Sequence, residues 1–140
     1  MDMLKKRVER AFQLTYDLID HLDQEALGLR LGSLPSNSIG EQAWCIIGAR
    51  ESYLKAVELG QWSGFSCSLK DTKNKNQVLA SLERTNKSAL EMMALDLKDN
   101  QLEYLLDLLE HEIQHHGQLI RFVYGNKLSF PESWHGRYTV

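Results

Sequence analysis

The feature that most limits the fold is a set of four apolar repeats with helical period, set apart by clusters of turn formers, with no strand-like alternation anywhere. In the first, from about Met3 to Arg30, Leu4, Val8, Ala11, Phe12, Thr15, Leu18, Ile19 and Leu22 recur at steps of three and four residues, which predicts one long helix. It stops in Gly32-Ser33-Leu34-Pro35-Ser36-Asn37, where the proline disfavours helix at the residue before it. Ser38-Ile39-Gly40-Glu41 fits a capping box and starts a second helix, which buries Ile39, Ala43, Ile46, Ile47, Tyr53, Leu54 and Val57 and stops at Gly60. A third is expected from about Lys73 to Leu97, with Val78, Leu82, Thr85, Ala89, Met92 and Met93 inward and the methionines as core filler. The fourth is expected from about Gln101 to Tyr124, with Gly125 as a left-handed cap.

These repeats predict an all-α chain, a single four-helix bundle over residues 1–140. The length suits one domain, and two prolines in 140 residues leave long helices uninterrupted. The thirteen residues from Gly60 to Thr72 have neither period but carry Trp62 and Phe65, which are costly to leave in water, so a packed connection is expected. Stretched, they span about 40 Å, enough to cross the length of a bundle, which favours an up-down-down-up order. The tail from Asn126 to Val140, bearing Phe130, Pro131, Trp134 and Tyr138, is expected to dock.

Charge excludes more than it suggests. Sixteen Lys and Arg against nineteen Asp and Glu give a net charge of −3, with no dense basic stretch beyond Lys5-Lys6-Arg7, so nucleic acid is a poor first partner. No apolar run approaches a membrane span, and the start lacks the apolar stretch of a secretion signal, so no membrane partner and a cytoplasmic location are expected. Cys45 and Cys67 stand apart and indicate neither a disulfide framework nor a cysteine-rich zinc module.

The most informative cluster is His111-Glu112-Ile113-Gln114-His115-His116-Gly117-Gln118, in the middle of the fourth helix. At about 100° per residue, His111 and His115 lie one turn apart on the same face, where two imidazoles can reach one ion. Leu102, Leu105, Leu106, Leu109, Ile113, Ile120 and Val123 are read as the main apolar arc. His111 and His115 fall at its edge among Tyr104, Leu108 and Phe122, facing a partly enclosed cavity. His116 falls inside the arc and is read as a core residue or as support for the site behind the ligands, bonded to a carbonyl. Two histidines at this spacing also arise by chance, and the pattern is not that of a zinc protease. Arg50 projects into an apolar face and is read first as the partner of a buried carboxylate; Gln118 either packs or donates to a ligand. His21 and His135 are read as surface residues.

With these residues in view, the chain resembles the DinB-like bundles, which include metal-dependent thiol transferases using bacillithiol or mycothiol. The resemblance lies in Ser38 to Glu51 on the second helix, in His111 to Gln118 on the fourth, and in Pro131-Glu132-Ser133-Trp134. It implies a divalent metal, zinc or nickel, held by one histidine of the second helix and two of the fourth. His111 and His115 match the latter pair, while Cys45 stands where the resemblance expects the other histidine. A thiolate is a good zinc ligand, so Cys45, His111 and His115 form the candidate metal set. Equally, Cys45 is a small buried hydrophobe in a site that has lost its metal.

The implied activity is transfer of a low-molecular-weight thiol to an electrophile, or hydrolysis, by a metal-dependent enzyme acting on a small molecule, with a homodimer as a reasonable assembly. The alternative is a metal-free ligand-binding or stress-response interaction protein on the same scaffold.

Overall fold

The computed structural model describes all 140 residues. It contains helices and no strands: α1 (Asp2–His21), a short 3-10 turn (Gln24–Gly28), α2 (Ile39–Leu59), α3 (Lys75–Met93), α4 (Asp99–Gly125) and α5 (Glu132–Arg137). The four long helices pack against each other, α1 and α2 each mainly against α3 and α4. No helix is long and apolar enough to cross a membrane.

Two clusters of buried side chains fix the helix directions. One gathers Leu18 and Leu22 of the first segment, Ile39 and Ala43 of α2, Val78 and Leu82 of α3, and Leu119 and Val123 of α4. The other gathers Val8 and Phe12, Leu54 and Val57, Ala89 and Met93, Leu105 and Leu108. Helices α1 and α4 therefore run one way and α2 and α3 the other, which is the order expected from the long second connection.

That connection returns along α2. Ser66 donates its amide to Ser52 Oγ at 3.0 Å, and Ser52 Oγ donates back to Ser66 O at 3.1 Å. Farther along, Ser68 bonds both carboxylate oxygens of Glu51. Glycine in α2 makes this close approach possible: a Cβ at residue 48 would collide with the Phe65 ring, and one at residue 40 with the Thr72 carbonyl. Phe65 packs on Trp44 and Trp62 on Tyr53, ring centres 5.3 and 5.0 Å apart, yet both side chains of the connection stay exposed on their outer faces, so it lies on the surface of α2 rather than in the core.

The Ser38 capping box forms as expected, and Gly60 closes α2 at φ 73°. Three local expectations are corrected. Helix α1 ends at His21 rather than near Arg30, because Leu22 turns extended and the 3-10 turn tucks Ala26 and Leu27 into the core. Gly125 is the last helical residue of α4, and the left-handed conformation falls on Lys127 at φ 55°. The buried face of α4 is rotated from the leucine arc: Leu106 is exposed, while Leu105, Leu108, Glu112, His115, His116, Leu119 and Phe122 face inward. A buried ion pair supplies the compensation that allows polar residues on this face.

The tail docks. Trp134 on α5 is fully buried and donates its indole N–H to Leu14 O at 2.7 Å.

Candidate metal-binding histidine pair

Helix α4 carries two polar constellations on its inward face. The deeper one centres on Glu112, whose carboxylate pairs with Arg50 of α2, neither side chain having exposed surface. Arg50 Nε donates to Glu112 Oε2 at 3.1 Å, and Nη2 donates to Oε1. Its Nη1 reaches Leu82 O and Thr85 Oγ1 of α3, and the guanidinium lies 3.6 Å over the Phe12 ring. Burial alone would raise the Glu112 pKa. The Arg50 charge and its hydrogen bonds overcome this and hold the carboxyl below its ordinary value.

Proton counting orders the rest of this network. Thr15 has one hydroxyl proton, given to Glu112 Oε1 at 2.6 Å. His116 Nε2, 2.8 Å from Thr15 Oγ1, must therefore be the donor there, and its Nδ1 accepts from Tyr138 O–H at 2.7 Å. That pattern belongs to a neutral ring, in keeping with a His116 pKa pushed down to about 4, chiefly by burial. The network accounts for Arg50 as a structural partner and His116 as a core residue; the tail hydroxyl of Tyr138 completes it.

The second constellation is the pair His111 and His115, whose ring centres are 4.5 Å apart and inclined by 57°. Gln42 of α2 controls His115. Its amide Nε2 donates to Asn37 Oδ1 at 3.0 Å, which turns Oε1 toward His115 Nδ1, 2.5 Å away. Nδ1 must then carry the proton, leaving Nε2 with its lone pair free. Metal-ligating histidines use the same arrangement, in which one ring nitrogen donates to an oxygen and the other is available to bind. Burial first, and then the neighbouring His111, lower the His115 pKa to about 4. Burial also lowers that of His111, against the pull of Glu112. His111 Nδ1 is the one buried side-chain nitrogen or oxygen without a hydrogen-bond partner.

Cys45 sits on α2 one turn beyond Gln42. It is half-buried, and burial followed by the nearby Glu41 charge raises its thiol pKa. No three His, Cys, Asp or Glu side chains form a group that could hold a metal ion. The chain thus assembles the two-imidazole part of the candidate set and leaves Cys45 outside a common three-donor group. Gln42 also lines a cleft of about 370 Å³ with Asn37, Gln118 and Arg121, and neither histidine is among its walls. Gln118 is exposed on its rim. His21 and His135 are exposed, as expected.

Sequence reasoning missed Gln42, Asn37, Thr15 and Tyr138. The available signal was Gln42 itself, a polar residue between Ile39, Ala43 and Ile46 on the face that packs inward. No protein-family model and no curated protein matches the chain.

Proposed function

We propose that this chain is a DinB-like four-helix bundle in which His111 and His115 anchor a divalent metal, zinc or nickel, for thiol S-transfer or hydrolysis. The observation that carries this reading is the lone pair held on His115 Nε2 by Gln42, beside a buried His111 nitrogen that has no partner. When bound, the metal would lower the pKa of a water or a substrate thiol and so supply the nucleophile near neutral pH. The chain's own contribution is to keep both imidazoles neutral by burial and to fix one ring's tautomer through Gln42 and Asn37. Glu112 is committed to Arg50 and supplies no general base. In this reading Cys45, which stands outside a three-donor group with the histidine pair, would have to move into reach and lose its thiol proton to serve as the third donor.

A second reading, a metal-free ligand-binding or interaction protein on the same scaffold, is favoured by the lack of a complete three-donor group. Metal analysis separates the two. The chain purified without a histidine tag is assayed by mass spectrometry for zinc, nickel and manganese, alongside His115→Ala. Metal that is present in the parent and lost in the variant supports the first reading; near-zero metal in both supports the second.

A further inference from the structure

The cleft between α1 and the C-terminal helix α5, which neither His111 nor His115 lines, brings like charges together. Its walls include Arg10, Gln13 and Asp17 of α1 with Ser133 and Arg137 of α5, around a volume of about 370 Å³. Four ion pairs form in the molecule, and neither Arg10 nor Arg137 belongs to one. Asp17 does not neutralise them in a direct pair, and its carboxylate accepts from Gln13 Nε2 at 2.7 Å.

Docking of the tail creates this juxtaposition. The buried Trp134 bonds the carbonyl of Leu14, a residue that lines the cleft, and fixes α5 against α1. Arg137 is held further by its own neighbour, its guanidinium lying 4.8 Å from the centre of the Tyr138 ring. Burial, then the charges of Arg137 and Arg7, make Arg10 easier to deprotonate than an ordinary arginine, with Tyr138 opposing. Two planar forks from separate elements, with the Ser133 hydroxyl lining the same cleft, match the donors that a tetrahedral oxyanion accepts.

We propose that this cleft binds a phosphate group, with Arg10 and Arg137 as the paired donors and Ser133 as a third. The ligand is a phosphomonoester, free or as a lipid headgroup, and binding draws the tail more firmly onto α1.

Calorimetric titration of the full chain with inorganic phosphate and glycerol 3-phosphate, at constant ionic strength, tests this, with flotation on phosphatidylcholine vesicles containing phosphatidic acid as the lipid arm. Saturable binding is expected in one arm or both, at least about tenfold weaker in Arg10→Gln and in Arg137→Gln, and unchanged in Lys87→Gln, which removes an equal charge from α3. Soluble phosphate binding identifies a free ligand, and flotation without it a headgroup. Circular dichroism checks that each variant remains folded. No saturation in either arm up to about 10 mM ligand, or an equal loss in Lys87→Gln, would overturn the proposal.

Discussion

Arg50 and Glu112 form an ion pair in which neither side chain reaches solvent, tying α2 to α4 at the centre of the molecule. Breaking a buried pair from one side leaves an uncompensated charge, so Glu112→Ala and Arg50→Met should each cost about 3–5 kcal/mol in urea unfolding. The double variant Arg50→Met with Glu112→Leu should recover most of that loss, because the replacing side chains are apolar and the Thr15 and Thr85 hydroxyls keep backbone acceptors at Ala11 O and Ser81 O. A double variant as unstable as the two singles summed would show that the pair is not a coupled unit.

His115 and His116 make stability depend on pH in a defined direction. Both take up protons near pH 4 in the folded chain, against 6.5 for an ordinary histidine. Between those values the unfolded chain binds more protons, so their contribution is complete above about pH 6.5 and falls as pH drops toward 4. Glu112, lowered from 4.5, adds a loss in the same direction at still lower pH, as its carboxylate is protonated. Urea midpoints measured from pH 7.5 downward should fall by about 1–3 kcal/mol equivalent before pH 4.5, with a shallower slope in His115→Gln. A flat profile over that range contradicts the burial of neutral rings.

The tail should contribute strongly for its length. Trp134→Ala removes a fully buried indole and its bond to Leu14 O, a loss of about 3–5 kcal/mol in thermal or urea unfolding. Tyr138→Phe removes the donor to His116 Nδ1 and leaves that nitrogen unpaired, a smaller loss of about 1–3 kcal/mol. Equal stability of Trp134→Ala and the parent would mean that the tail is not docked in solution.

Two helical glycines should respond with opposite sign. Gly48→Ala drives a methyl into Phe65 and Cys67 and should destabilise by about 1–3 kcal/mol, loosening the 60–74 connection. Gly117→Ala on α4 meets nothing within 4 Å and should stabilise by up to about 1 kcal/mol through helix propensity. Melting curves of the two variants provide the check.

Much of the helical framework was legible from the residues, because apolar period and caps act locally: the Ser38 box, the Gly60 stop and the span of the second connection all read directly from neighbours in the chain. The break after His21 was not legible, since the pattern through Ala26 and Leu27 continues with helical spacing while tertiary packing, not propensity, turns the backbone. The inward face of α4 was misread for a related reason. Counting leucines gives weight to Leu106, whereas burial of Glu112 depends on Arg50, 62 positions away. At the candidate site, the histidine spacing was plain, but the tautomer of His115 depends on an amide from another helix, and no local pattern encodes that pairing.

The most direct measurement is an equilibrium titration of the metal-stripped, untagged chain with zinc and with nickel, beside His111→Ala, His115→Ala and Cys45→Ala. The account predicts about one metal bound per chain, with affinity lost in both histidine variants and reduced in Cys45→Ala. Absence of binding in the parent, or binding that survives removal of either histidine, would contradict it.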